Sequence, residues 1–246
     1  MSKNVILVGD KFATFAQQEN VTTPLAFCAA LEDGKIDTCN LILGQGVSDA
    51  WVAHITDLAA QTNAKVTLVN SVSAKRASSK SCHKVKRQNA LISEPQVLRN
   101  NAFGARLLID EDCELMGDHQ TGHHLQGMLL VEAARQMFLA VIERYLRPQQ
   151  SNYAVINHLN STFQSFAFPL STDIELTVET RDEDRPDRGS YNVQVVFLQN
   201  GSPVTTIDTR FTVFDAQRLA PKEAAMAQAR TQDCIAMADK ELAVAV

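Results

Sequence analysis

Residues 128–146 run Met-Leu-Leu-Val-Glu-Ala-Ala-Arg-Gln-Met-Phe-Leu-Ala-Val-Ile-Glu-Arg-Tyr-Leu, without a glycine or proline. Strong helix formers fill the segment, so it reads as one long helix. Its apolar residues cover more than one stripe, which demands burial on most sides rather than packing on a surface. Glu132, Arg135 and Gln136 are the polar exceptions near its start. One turn apart, they can meet on one face. The helix follows a loop carrying His119, His123 and His124, and Gly127 stands between the two. A carboxylate on a buried helix beside a histidine-rich loop is the strongest chemical lead in the chain.

The rest of the chain must supply what surrounds that helix. Residues 153–168, 173–181, 191–199 and 204–214 are β-like runs, separated by Pro169, the charged 182–189 segment and Asn200-Gly201. An Asn-Gly between two alternating runs is a hairpin signal. Residues 89–110 add one or two strands, punctuated by Pro95 and Asn100-Asn101. A long helix accompanied by an antiparallel set of strands predicts an α+β domain.

The amino-terminal part differs. Residues 4–9, 41–44 and 65–70 are short β-branched runs, and Ser48 can cap a helix reaching about residue 61. Residues 11–32 read as helix, broken into two pieces at Thr22-Thr23-Pro24. Alternation of this kind predicts a small parallel α/β (βαβαβ) unit over 1–72. Gly9-Asp10 and Gly44-Gln45-Gly46 fall at the carboxyl ends of its strands, where such sheets bind ligands. The glycines serve either tight turns or a phosphate or nucleotide site; they do not match the dinucleotide fingerprint. A Ser/Lys/Arg-rich linker over 73–82 leads into a second domain over 83–216. An Ala-rich helix or tail over 217–246 closes the chain.

A net charge of −5 argues against nucleic acid or an anionic membrane as partner. No apolar run approaches the length of a membrane span, and the amino end lacks a signal-peptide pattern. Five scattered cysteines, without a Cys-x-x-Cys pair, suit free thiols in a reducing cytoplasm. Asp118, His119, His123 and His124 have spacings that can supply metal ligands from one loop. Nothing distant completes such a set, so neither metal nor cofactor is expected.

The run His124-Leu-Gln-Gly127-Met128-Leu-Leu-Val-Glu132-Ala-Ala-Arg135-Gln136 resembles the A-factor biosynthesis (AfsA-type) hotdog domain, which carries Asp-His-Val-Pro-Gly-Met-Leu-Leu-x-Glu-Ala-x-Arg-Gln at this place. His83-Lys84 followed by Ala90-Leu91-Ile92 matches a second landmark of that family, a His-Lys pair ahead of a strand. The resemblance spans roughly residues 83–215. It departs at His123, where the family has Asp, and at Gln126, where it has Pro.

The resemblance implies a hotdog fold and chemistry on acyl thioesters, with the acyl chain in a tunnel beside the central helix. In that reading Glu132, His124 and His119 are catalytic. Gly127, Met128, Arg135, Gln136 and His123 contact substrate. Burial raises the pKa of Glu132, Arg135 opposes the shift, and Gly127 lets the helix amino end approach the thioester carbonyl. Lys84, Lys86 and Arg87 would form a basic docking patch for an acyl carrier protein or the phosphates of coenzyme A. The family's enzymes often carry two hotdog repeats, so one repeat here implies a homodimer. The implied reaction is acyl transfer to a hydroxyl such as that of dihydroxyacetone phosphate, feeding γ-butyrolactone-type signals or other specialised metabolites. Thioester hydrolysis or dehydration and a non-catalytic acyl-binding or partner-binding module are the alternatives. Dehydration fits less well, because the dehydratase histidine position holds Asp118 and the Gly-His-Phe-Pro loop is absent.

Overall fold

The computed structural model describes residues 3–69, 74–117, 121–148, 151–185 and 187–244, without the side chains of 242–244. Its amino-terminal part contains strands β1 (Lys3–Leu7), β2 (Val21–Thr22), β3 (Thr38–Leu43) and β4 (Lys65–Val69), with helices α1 (Pro24–Glu32) and α2 (Asp49–Gln61). The strands form a parallel sheet in the order β2-β1-β3-β4. Ser48 caps α2 by accepting from the Trp51 N–H.

The expected helix over residues 11–22 is not formed. Two short 3-10 turns, Asp10–Phe12 and Phe15–Gln17, occupy that stretch. Asn20 then turns at a φ of 62°, and Val21 pairs with Ile6. Burying Phe12 completely and placing a β-branched residue on the sheet edge outweigh the helical pattern. Thr23 is extended ahead of Pro24, which opens α1 at a position where a missing N–H costs nothing.

The larger sheet contains β5 (Gln96–Arg99), β6 (Ala102–Arg106), β7 (Asn152–Phe163), β8 (Asp173–Arg185), β9 (Arg188–Gln199) and β10 (Ser202–Asp215), in the order β5-β6-β8-β9-β10-β7. All its ladders are antiparallel. Asn200 and Gly201 both have positive φ, as the tight hairpin between β9 and β10 requires. Strands β8 and β9 run on through the charged segment read as a turn, as far as the Arg185–Arg188 pair.

Helix α3 (Gly127–Val141) lies against this sheet and continues as a wider π turn over Ile142–Leu146. Leu129, Leu130, Met137, Phe138, Leu139 and Val141 are all buried. Each contributes about 2 kcal/mol by leaving water. Phe138 stacks on Phe211 of β10, with ring centroids 4.5 Å apart. A six-stranded antiparallel sheet around a long buried helix is the α+β hotdog arrangement. The final residues form helix α4 (Ala216–Val244), largely exposed to solvent.

The parallel sheet is joined to this core by packing and by hydrogen bonds. Val8 and Phe12 belong to the same apolar cluster as α3. Gln45, almost fully buried, donates to the Leu107 and Leu170 carbonyls and accepts from the Ile109 N–H. Gly9 and Gly44 are required by close backbone approach. A Cβ on Gly9 would lie 1.9 Å from the Gly46 carbonyl oxygen, and one on Gly44 would lie 2.3 Å from that of Pro169. Protein backbone therefore fills the space where a ligand would approach Gly9 and Gly46.

The stretch read as a linker is packed down. Ala77 and Cys82 are buried, and the Arg76 guanidinium donates to the Ala90 and Leu108 carbonyls. Ala90-Leu91-Ile92, read as a strand, is fully buried but makes only an isolated bridge, Ile92 to Leu107. The Leu91 N–H goes to the Gln136 side chain, while the Leu91 and Ile92 carbonyls accept from the Leu108 and Ala77 N–H groups, partners the sequence pattern alone does not assign.

Candidate functional site

Helix α3 shows one partly open face, formed by Gly127, Met128, Val131, Glu132 and Arg135. Lys84, arriving from the 74–90 segment, reaches this face at Glu132. The Glu132 carboxylate accepts two hydrogen bonds from Arg135, at 2.8 and 2.9 Å. Lys84 Nζ lies 2.6 Å from Glu132 Oε1, and Gln136 Nε2 donates to the same oxygen at 2.9 Å. The Glu132 side chain is 18% exposed.

Burial alone would raise the Glu132 pKa, as the sequence suggests. The hydrogen bonds from Arg135, Lys84 and Gln136 outweigh it and pull the carboxyl down to about 2. The carboxylate is thus held ionised, and in this arrangement it is a weak base.

Gln136, expected to contact substrate, faces inward instead. It is fully buried; its Oε1 accepts from the Leu91 N–H at 2.7 Å and its Nε2 also donates to the Asn89 carbonyl. It positions Glu132 and fastens the 89–91 segment to the helix. Lys84, expected in the docking patch, is instead part of the Glu132 cluster. Lys86 and Arg87 are exposed but already paired, with Glu114 and Asp49 respectively. His83, at a φ of 52°, turns its ring toward Glu143, 3.6 Å away.

The histidine loop lies at the amino end of α3. His119 and Asp118 fall outside the described residues. The Thr121 hydroxyl accepts from the His123 N–H and lies 3.2 Å from His124 Nδ1. His124 is half-buried and packs against Phe166 at 4.8 Å, while His123 is exposed. His124 and Glu132 share no hydrogen-bond partner in the contacts described. The 3-10 turn Phe15–Gln17 supports this loop: the Phe15 N–H donates to the Gly122 carbonyl, and Phe15 stacks on Phe168.

Aromatic residues frame the site, a feature that sequence reasoning missed. Phe163 and Phe166 are 51% and 66% exposed, and Met128 is 66% exposed. A Cβ on Gly127 would lie 2.8 Å from the Phe163 ring. Phe163 therefore packs directly over Gly127, beside the helix amino end that a carbonyl was expected to meet. The alternation of residues 153–168 could have flagged these aromatics, since one face of a terminal strand has no second sheet to cover it.

Beside the basic cluster, Cys82 is buried and its thiol is pushed up to about 11, chiefly by that burial. No group of potential metal-binding side chains is present among the described residues. Nor is any described helix long and apolar enough to cross a membrane.

The family model for the AfsA A-factor biosynthesis hotdog domain matches residues 70–215. The chain belongs to that family. The match takes in every element of the AfsA hotdog domain that surrounds Glu132, including the 74–90 segment that brings Lys84. No curated protein matches the sequence. Among solved structures, the chain is similar to a thioesterase from Pseudomonas aeruginosa at 15% identity, covering 58% of this chain and 99% of that one, with a TM-score of 0.40. A thioesterase from Haemophilus influenzae is similar at 9% identity over 58% and 96% of the two chains, with a TM-score of 0.40. A dehydratase heterocomplex from Xenorhabdus doucetiae is similar at 17% identity over 55% and 90%, with a TM-score of 0.42.

Proposed function

We propose that this AfsA-family chain uses acyl thioesters and transfers the acyl group, β-ketoacyl included, from a carrier protein or coenzyme A to a hydroxyl acceptor. The observation that carries the reading is the 2.6 Å contact between Lys84 and Glu132. Two landmarks 48 positions apart in the chain meet there, on the open face of the central helix.

In the resting arrangement Glu132 is too strongly bound to take a proton. An anionic acceptor, such as the phosphate end of dihydroxyacetone phosphate, competes for Lys84 and Arg135. Drawing Lys84 away removes one of the bonds that hold the carboxyl low, so its pKa rises toward the range of a usable base. Glu132 then takes the acceptor hydroxyl proton while the oxygen attacks the thioester carbonyl. The C–S bond breaks, and the departing thiolate receives that proton. His124 and the amino end of α3 stabilise the oxyanion formed on the way.

The acyl chain lies along Met128, Phe163 and Phe166, which a second copy of the chain covers in a homodimer. Strand β7 supports that arrangement. It ends the six-stranded sheet, is 12 residues long, and exposes Tyr153, Ile156 and Phe163. Long apolar edges of this kind invite pairing.

Mass spectrometry of the purified protein with acyl and β-ketoacyl thioesters, with and without dihydroxyacetone phosphate, tests the reading. An acceptor-dependent ester, lost in Glu132→Gln and in Lys84→Met, is the expected result. Free acid or an enoyl product without acceptor would replace transfer by hydrolysis or dehydration. A retained acyl ligand without turnover would mark a binding module.

A further inference from the structure

A second site lies where the parallel sheet meets the hotdog domain, away from Glu132. A cavity of about 310 Å³ opens there, a volume at the lower end of those that hold small-molecule ligands. One wall is the carboxyl end of β3, with Leu43, Gly44 and Gln45, followed by the first turn of α2. The opposite wall is residues 106–109, with Ser171 beside them. Ligands of open parallel sheets bind outside the carboxyl ends of strands, and helix amino ends favour anions.

The charge of the lining points the same way. Lys75, Arg76, Arg87 and Arg106 line the cavity against a single acid, Asp49. That is a local excess of three positive charges in a chain whose net charge is −5. Asp49 already pairs with Arg87 at 2.7 Å. Among acids outside the lining, Glu94 holds Lys75 at 3.0 Å, whereas Asp110 and Asp173 reach Arg76 and Arg106 only loosely, at 3.7 Å and 3.9 Å. Arg76, its side chain 7% exposed, has its pKa lowered by burial against the pull of Asp110 and Asp49, with Arg87 adding to the lowering. An anion would relieve both. Arg106 also donates to the Ser171 hydroxyl, which fixes its planar fork at the cavity wall.

We propose that this junction cavity binds a small phosphomonoester, held by Arg76, Arg87 and Arg106, with Lys75 at the rim. The apolar side chains of Leu43, Val47, Val52 and Leu108 take the uncharged body of the ligand. Arg87 then serves this site rather than carrier docking. Because Gln45, just past β3, bonds to the Leu107 and Leu170 carbonyls, and Arg76 to those of Ala90 and Leu108, an occupied cavity stiffens the join between sheet and hotdog domain.

Calorimetric titration of the full chain with glycerol 3-phosphate, adenosine 5′-monophosphate, inorganic phosphate and citrate tests the proposal. Saturable binding of at least one phosphomonoester is expected, unchanged in Glu132→Gln and weakened at least about tenfold in Arg87→Gln,Arg106→Gln. Arg87 is 71% exposed, so Arg87→Gln alone keeps the fold and serves if the double variant is unstable. Binding that Glu132→Gln abolishes would place the phosphate at the helix site and overturn the proposal. So would equal binding by the arginine variants, binding of citrate alone, or no saturable binding of either phosphomonoester.

Discussion

Replacing Glu132 by glutamine removes a charge that three donors hold in place. The cost follows from the carboxyl's own acidity. Its pKa moves from 4.5 to about 2 when the cluster forms. At 1.36 kcal/mol per unit, the folded chain gains roughly 3 kcal/mol from keeping the group ionised. The folded carboxyl is the stronger acid, so the unfolded chain binds the extra proton as pH falls. The stabilisation is therefore complete above the ordinary pKa of 4.5 and is lost progressively on the way down to about 2. Urea denaturation of the native protein and Glu132→Gln should differ by about 3 kcal/mol near neutral pH, with similar dependence on urea. The gap should close steadily below pH 4.5, where the unfolded wild-type chain takes up a proton at Glu132 and the variant has none to take up. A gap under about 1 kcal/mol, or one independent of pH, would refute the reasoning. It would mean that the cost of burying three charged groups cancels their mutual attraction.

Three further outcomes are expected. Gly9→Ala should destabilise the fold by about 3 kcal/mol or more in thermal melts, because its Cβ would overlap the Gly46 carbonyl and backbone cannot move away cheaply. Native thiol titration should find one reactive cysteine, the exposed Cys234, and five after denaturation, because Cys28, Cys39, Cys82 and Cys113 are buried; fast labelling of Cys82 would contradict its burial. Ile156→Lys, placing a charge on the exposed edge strand, should shift a dimer toward monomer in sedimentation without altering the melting of the monomer.

Much of the fold was legible because its determinants are local. Residues 128–146 must be helical and buried on most sides whatever surrounds them, and Asn200-Gly201 can hardly do anything but turn a hairpin. The parallel strands were legible for the same reason. Where the reading failed, the decisive partner was distant. Residues 11–22 carry a helical pattern, but Phe12 is claimed by the hotdog core and Val21 by the edge of β1. The 73–82 stretch has the composition of a linker, yet Arg76, Ala77 and Cys82 find buried places that no spacing reveals.

The candidate site divides in the same way. Sequence by itself determined that Glu132 and Arg135 share a helix face, because a period of 3.6 residues fixes that geometry. It also placed His123 and His124 just ahead of the helix. Only the tertiary structure decided that Lys84 reaches Glu132, that Gln136 ties the 89–91 backbone to the helix, and that Phe163 covers Gly127. The sign of the Glu132 pKa shift depended on those decisions. Burial can be inferred from a run of apolar neighbours and Arg135 and Gln136 from the helix period, but Lys84 comes from a segment whose approach is set by packing, and packing is not written in the spacing of any one segment.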